Sequence, residues 1–307
     1  MRLGRLEISW NRRPPTRLGA TELEGINERY EKALASGKQL VLGTLCARSG
    51  TMWLCDIFDE HDNATGITER NFEEESYYRF TTYNKLPIDT AGIIALIKHG
   101  ILEDWKKSDI ALVFSPFFSH GMLELYSELS PSRVIFAVSD PEFTVQSIYN
   151  KGFFSQHYLR GRDDLALGFQ PSFSGSWSQY FGRIVPNGPA YRDWEKLTRI
   201  GKIAWWGNRI TVDIWQQLSQ LPQEKIHIFN LQEADQNYDW YLRLAKEFGL
   251  APILSCERFL SIKGRRVRAE HNARHDWSFE ERSEFERLTK EWKELYEKLC
   301  ANHAKNA

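Results

Sequence analysis

Four short segments of the chain are almost continuously apolar, and each is followed by a stretch with helical character. They are residues 39–45, 110–114, 134–138 and 226–229. Strands that are buried on both faces have such continuous apolar runs, and they are typical of a parallel sheet covered by helices. The later segments alternate with predicted helices near residues 119–129, 141–151 and 235–248. The sequence therefore predicts an α/β fold with right-handed crossover connections.

The chain shows no internal repeat and no obvious linker, so we predict one α/β domain over residues 38–307. Residues 1–37 form an N-terminal extension and a helix, which Gly37 ends as a C-cap. Residues 155–190 are rich in Gly, Ser, Phe and Tyr without periodicity, and we expect a loop or lid there.

A charged amphipathic helix is predicted near the C-terminus, over residues 279–299. Ser278 is its candidate N-cap, and Glu281 follows at the spacing of a capping box.

The composition excludes several classes of function. Lysine and arginine total 40 against 41 aspartates and glutamates, a net charge of −1, which does not favour binding to nucleic acid or to a membrane surface. The four cysteines include no C-x-x-C pair, so no zinc or redox motif is indicated, and they suit a reducing compartment. The longest apolar run, residues 91–97, is far below the ~20 residues that span a bilayer. We expect a cytoplasmic protein with no membrane span and no metal.

One segment between a predicted strand and a predicted helix has the composition of an anion site. Residues 43–53 read Gly-Thr-Leu-Cys-Ala-Arg-Ser-Gly-Thr-Met-Trp. Backbone N–H groups and the positive end of a helix attract anions at such a junction. Arg48 adds a positive charge, and Gly50 lets an anion approach the backbone. The segment is not a Walker A loop and no G-x-G-x-x-G occurs, so an ordinary strand–helix turn is an equal alternative on these residues alone.

Residues 48–53 resemble the 5′-phosphosulfate loop of the sulfotransferases that use 3′-phosphoadenosine 5′-phosphosulfate (PAPS). That family's pattern is Pro-Lys-Ser-Gly-Thr-Thr-Trp, of which Ala47, Arg48 and Met52 replace three members. The resemblance implies PAPS as co-substrate, without a metal. It assigns the 5′-phosphosulfate to Arg48, Ser49, Gly50, Thr51, Met52 and Trp53.

Residues 133–149 resemble the family's 3′-phosphate segment. That segment is a strand, then Arg-x-Pro, then a serine six residues after the proline. Pro141 and Ser147 keep the spacing, so the resemblance assigns Ser147 to the 3′-phosphate. The family arginine is Ser139 here, and its loss removes a charge-assisted contact of roughly 1.5–3 kcal/mol.

A basic stretch lies where family members carry a basic, glycine-containing loop on the 3′-phosphate. Residues 263–274 hold five lysines and arginines against one acidic residue. The resemblance therefore implies that Lys263, Gly264 and Arg265 contact this phosphate. A solvated basic loop is the alternative.

Sulfuryl transfer needs in-line positioning, charge stabilisation on the leaving group and a base for the acceptor. By resemblance, Arg48 stabilises the bridging oxygen, although it cannot readily donate a proton. The family commonly uses a histidine shortly before the 3′-phosphate segment as the base. His120, just after a predicted strand, is the first candidate, and Glu69 and His99 are the alternatives.

The resemblance implies a three-layer sandwich of the P-loop nucleotide-hydrolase type, with a parallel β-sheet flanked by helices. It implies a sulfotransferase that sulfates a hydroxyl of a small molecule, sugar or lipid. A non-catalytic nucleotide-binding or interaction protein of this fold is the alternative, which Ser139 favours. A P-loop kinase would need the missing Gly-Lys pair.

Overall fold

Five strands form the centre of the molecule. In the computed structural model of the chain, the described residues are 20–46, 49–87, 89–150, 153–154, 184–235, 237–264 and 275–306. The strands are β1 (Gln39–Leu45), β2 (Ala64–Thr68), β3 (Ile110–Phe114), β4 (Arg133–Val138) and β5 (Ile226–Asn230). They pair in parallel in the order β2-β3-β1-β4-β5. The α/β prediction with a helix-covered parallel sheet is confirmed.

Helices follow most strands. They are α1 (Ala20–Ala35), α2 (Thr51–Asp59), α3 (Phe72–Asn84), α4 (Ala91–Trp105), α5 (Met122–Leu129), α6 (Pro141–Asn150), α7 (Ala190–Glu195), α8 (Arg199–Leu218), α9 (Leu231–Ala234), α10 (Tyr238–Phe248), α11 (Cys256–Gly264), α12 (Phe279–Leu288) and α13 (Lys290–Asn306). Single 3₁₀ turns occupy Pro116–Phe118 and Gln223–Lys225.

The structure corrects three predicted helices. The helix expected over 119–129 begins at Met122, after a 3₁₀ turn. The helix expected over 235–248 begins at Tyr238, where the Asn237 side chain accepts a hydrogen bond from Trp240 N and caps the first turn. The C-terminal helix is two helices that meet at Thr289, although its predicted capping box between Ser278 and Glu281 is confirmed.

Both faces of the sheet are buried, as the continuous apolar runs predict. Leu40 and Leu42 of β1 pack with the core formed mainly by α1, α4, α5, α6 and α8. Val41 and Leu45, which alternate with them, pack with α2, α10 and α11 on the other face. The edge strand β2 was not predicted, because its residues ATGIT are mostly half-buried and lack a continuous apolar run.

The order of the strands predicts a crevice between the carboxyl ends of β1 and β4. The chain leaves β1 towards β2 on one side, and it leaves β4 towards β5 on the other. Ligands bind open parallel sheets at such switch points, outside the carboxyl ends of the strands. The two segments singled out in the sequence follow these two strands.

The helix expected within residues 1–37 packs on the rest of the chain. Tyr30 of α1 donates a hydrogen bond to Leu129 O at 2.8 Å, and its ring lies 5.1 Å from that of Trp105. Residues 1–19 lie outside the described residues. So do residues 155–183, most of the expected lid.

Candidate functional site

The loops after β1 and β4 meet at the crevice. Ser49 Oγ donates a hydrogen bond to Ser139 Oγ at 3.3 Å, and Ser139 Oγ also bonds the hydroxyl of Thr144 in the first turn of α6. All three side chains are buried. Ser139, which aligns with the arginine of the family that the sequence resembles, therefore provides a small hydroxyl that joins the two loops.

Gly50 gives the first loop its shape. It is the N-cap of α2 with φ 77° and ψ 16°, the left-handed region that favours glycine. A Cβ at this position would come within 2.7 Å of Leu231 Cδ2. Gly50 supplies no side-chain cap for the first turn of α2, and that turn contains no acidic residue. An anion is the natural partner for such a helix start.

The remaining described residues of the loop differ in exposure. Thr51 is buried, whereas Met52 is 56% exposed. Trp53 is buried in an aromatic cluster, with its ring 6.2 Å from Phe229 and 5.8 Å from Trp240. These contacts give Trp53 a packing role, and its contact with a cofactor stays a prediction.

Two predicted anion ligands fall outside the described residues, namely Arg48 and Arg265. Lys263 and Gly264 form the last two residues of α11, so the expected basic loop starts as a helix end. Ser147 lies on α6, one helical turn beyond Thr144, and is half-buried. The predicted ligands Ser49–Trp53 and Ser147 thus follow β1 and β4, the two strands at the switch point.

The start of α6 is less favourable to anions than that of α2. Asp140 Oδ1 accepts a hydrogen bond from Phe143 N at 2.8 Å, so a carboxylate already serves this helix end. A neighbouring cavity of about 270 Å³ is lined by Asp140, Pro141, Glu142, Lys293, Tyr296 and Glu297. Its three carboxylates oppose one ammonium group, which does not favour a phosphate there.

His120 lies beyond the carboxyl end of β3, in the turn that precedes α5. Its side chain is only 5% exposed, and its Nδ1 lies 3.0 Å from Asp213 Oδ2. Its Nε2 is buried and has no hydrogen-bond partner among the described residues. The ring centroid lies 5.0 Å from that of Tyr83. A buried ring with one nitrogen anchored and the other unbonded suits a proton acceptor.

Burial lowers the pKa of His120 below its ordinary value. The hydrogen bond that His120 donates to Asp213 opposes this effect, and the positive charges of Arg79 and Arg209 add to it. The imidazole is therefore neutral near pH 7, the form that a general base requires.

A buried carboxyl group supports the turn that leads to His120. Ser115 Oγ donates to Glu75 Oε2 at 2.6 Å and accepts from Phe117 N at 3.1 Å. Glu75 Oε1 also accepts from Asn71 N at 3.0 Å. Burial raises the pKa of Glu75 to about 7, so α3 holds a carboxyl group that titrates near neutrality.

Two more buried polar residues lie near this end of the sheet. Burial lowers the pKa of the Arg79 guanidinium to about 9 and raises the pKa of the Cys46 thiol to about 12. The raised thiol pKa keeps Cys46 protonated and poorly nucleophilic. Arg79 lies over the Phe117 ring at 4.9 Å.

The sequence did not single out Glu75, Arg79 or Asp213. Glu75 and Arg79 are four residues apart on α3, a spacing that places them on one helix face. Asp213 is one acid within the otherwise apolar or uncharged run 210–215 of α8. These residues could have been found as charged side chains on the apolar, buried face of a helix. A buried charge is costly unless it has a partner or a function, so such residues indicate a site.

The two alternative bases differ in position. Glu69 follows β2 with φ 51°, and its N–H bonds to Phe114 O at 2.9 Å, so it lies at the carboxyl edge near the start of the His120 turn. His99 lines a cavity of about 200 Å³ with Lys38 and Trp105, beside the amino end of β1. The geometry brings Glu69, but not His99, to the edge where the crevice opens.

Compared with models of known protein families, the chain matches none, and no curated protein matches it significantly. Within the described part of the chain, no helix has the length and apolar character needed to cross a bilayer. The same residues contain no group of three or more His, Cys, Asp or Glu side chains that could hold a metal.

Proposed function

We propose that this chain is a sulfotransferase that transfers a sulfo group from PAPS to an acceptor hydroxyl, on a sandwich of the P-loop nucleotide-hydrolase type. The observation that carries the proposal is the hydrogen bond between Ser49 and Ser139. It joins, at the crevice between β1 and β4, the two segments that resemble the phosphate-binding segments of that family. The start of α2, which has no side-chain cap and is shaped by the left-handed backbone of Gly50, supports an anion at this point.

The donor is held, in this proposal, by residues of both segments. Ser49, Gly50 and Thr51 bind the 5′-phosphosulfate at the start of α2, and Ser147 with the basic residues Lys263 and Arg265 binds the 3′-phosphate. Met52 and Trp53 complete the loop around the donor. Arg48 stabilises the negative charge that develops on the bridging oxygen.

The acceptor is activated by His120. As the acceptor hydroxyl oxygen bonds to the sulfur, its proton passes to His120 Nε2, and the bond from sulfur to the bridging oxygen breaks. Adenosine 3′,5′-bisphosphate leaves with that oxygen. The neutral state of His120 supports this role, as does its Nε2, which bonds to none of the described residues. A small molecule, a sugar or a lipid can supply the hydroxyl.

A second function is supported by a separate observation. Ser139 replaces the family arginine, and Asp140 places a carboxylate beside it at the start of α6. Both features weaken the attraction for a 3′-phosphate. A nucleotide-binding or interaction protein without transferase activity is therefore the second candidate.

The test measures binding and turnover separately. Adenosine 3′,5′-bisphosphate is titrated into the desalted protein while its melting temperature is followed. A dissociation constant of ~10 μM corresponds to a stabilisation of about 2.7 kcal/mol at 1 mM ligand. Radiolabelled PAPS is then offered with a panel of alcohols, phenols, sugars and lipids. Arg48→Ala and, as a matched surface control, Arg29→Ala are treated in the same way.

The outcomes separate the two candidates. A melting shift with transfer to an acceptor, lost in Arg48→Ala but kept in Arg29→Ala, supports the sulfotransferase. Binding without transfer to any acceptor class supports the non-catalytic alternative. No shift at millimolar nucleotide contradicts the sulfotransferase and any nucleotide-binding role, and leaves only the interaction protein.

A further inference from the structure

One face of α8 contacts the turn that carries His120. Asp213 Oδ2 contacts His120 Nδ1 at 3.0 Å, and one helical turn later Gln217 Nε2 donates to Ser119 O at 2.7 Å. Both the side chain of His120 and the backbone beside it are therefore fixed by the same helix. Gln217 Oε1 also accepts from Leu123 N at 3.4 Å, just after the turn.

Asp213 is itself held in place. Arg209 Nε, one turn earlier on α8, lies 2.9 Å from the same Asp213 Oδ2. The Asp213 side chain is 10% exposed, so this carboxylate is buried with two charge-assisted partners. A carboxylate that is anchored on one side and bonded to a histidine on the other leaves that histidine little freedom to rotate.

We infer that Asp213 is a positioning residue that holds His120 in the tautomer with its proton on Nδ1, leaving the Nε2 lone pair free for the acceptor hydroxyl. An ionised carboxylate only accepts hydrogen bonds, so the partner nitrogen must carry the proton. The inference rests on the proposed function for its catalytic meaning, whereas the tautomer itself is independent of any substrate.

The charges around His120 explain why a carboxylate is needed. Arg79 and Tyr83 face it from α3, and Arg209 and Asp213 face it from α8. When His120 takes a proton, the two arginines oppose the new positive charge. Asp213 is the group among these four that stabilises the imidazolium, so it acts on the transition state through His120.

The first experiment reads the tautomer directly. Protein labelled with ¹⁵N at histidine is examined at pH 7.5 by two-bond ¹H–¹⁵N correlation spectroscopy, and the His120 signals are assigned by their loss in His120→Gln. The neutral tautomer protonated at Nδ1 is the expected result. A ring protonated at Nε2 alone, or an imidazolium at this pH, overturns the inference.

The second experiment separates charge from hydrogen bonding. Asp213→Asn keeps an oxygen acceptor but removes the charge, so the acidic limb of the kcat/KM pH profile should move to lower pH. Asp213→Leu removes both, and kcat should fall roughly 10²-fold, at the lower end of a general base's contribution. Asp213→Glu should recover part of the activity. Asp193→Asn, on an 88% exposed carboxylate, is the matched control and should change nothing.

Failure of this inference differs from failure of the proposed function. An Asp213→Leu protein that is folded by circular dichroism and transfers sulfate at the wild-type rate contradicts the positioning role alone. A chain with the expected tautomer that transfers no sulfate leaves the positioning of His120 in place and contradicts the sulfotransferase.

Discussion

Ser49 and Ser139 are 90 residues apart in the sequence, and their Oγ atoms lie 3.3 Å apart. Each follows the carboxyl end of a strand, and β1 and β4 are neighbours in the sheet. The bond thus joins the loop before α2 to the loop before α6.

Replacing Ser139 with alanine should weaken this tie. The change leaves the hydroxyls of Ser49 and Thr144 without their shared partner, so we expect a loss of about 1 kcal/mol of unfolding free energy and weaker binding of adenosine 3′,5′-bisphosphate. Urea unfolding and nucleotide titration measure the two effects. Ser132→Ala, whose hydroxyl bonds to Leu40 O at the other end of the sheet, is the control and should leave nucleotide affinity unchanged. Unaltered stability and affinity in Ser139→Ala would show that the tie is unimportant.

Gly50→Ala should disturb the anion loop. Alanine costs roughly 1–2 kcal/mol in the left-handed region, and its Cβ would also press on Leu231. We expect this loss in urea unfolding, together with loss of the nucleotide-induced melting shift. Gly92→Ala is the matched control, since open space surrounds its Cβ position on α4, and it should stabilise the helix by up to about 1 kcal/mol. The prediction is wrong if Gly50→Ala binds nucleotide as the wild type does.

His120→Gln should remove the proposed general base while leaving the proposed donor loop intact. We expect kcat to fall about 10²–10⁴-fold with an unchanged affinity for adenosine 3′,5′-bisphosphate. Initial rates and nucleotide titration check the two parts. His99→Gln, beside the amino end of β1, is the control and should retain wild-type turnover. A wild-type kcat in His120→Gln would contradict the role of His120 as the base and would favour Glu69.

Glu75 should make stability depend on pH. Its pKa is raised by burial from 4.5 to about 7 in the folded state. Between these values the folded protein binds a proton that the unfolded chain has lost, so the unfolding free energy falls as pH rises through this window. Glu75→Gln should cancel up to roughly 3 kcal/mol of this fall.

Urea unfolding of the wild type and of Glu75→Gln at pH 5 and pH 8 measures this difference. Ser115→Ala provides the opposite change, because the Ser115 hydrogen bond lowers the pKa of Glu75. Its loss should extend the fall in stability to higher pH. Equal pH dependence in wild type and Glu75→Gln would contradict the assignment.

The sequence predicted β1, β3, β4 and the edge strand β5, because each of them carries a continuous apolar run. It missed the other edge strand, β2, whose residues ATGIT carry no such run, and it joined α12 and α13 into one helix. Thr289 separates them, although its Oγ1 bonds back to Phe285 O at 2.7 Å. Such a break depends on how the two helices pack on α8 and α6 rather than on the local pattern.

The sequence indicated the loop residues of the candidate site but not the residues that support them. Ser49, Gly50 and Ser147 were found from a spaced motif, which is a local property. Asp213 and Glu75 were not predicted, because in the sequence each resembles an ordinary helix residue. Only the fold places them beside a turn that belongs to another part of the chain.

The sequence by itself determined that the chain forms a helix-covered parallel sheet, and it identified two loop segments that resemble a phosphate site. Hydrophobic periodicity and glycine placement depend on only a few neighbouring residues, so they can be recognised in a short stretch of sequence. Only the tertiary structure decided that β1 lies between β3 and β4, that Ser49 bonds Ser139, and that Asp213 meets His120. These contacts depend on strand order and on the packing of distant helices. Their residues are far apart in the sequence and meet only when the folded chain buries them together.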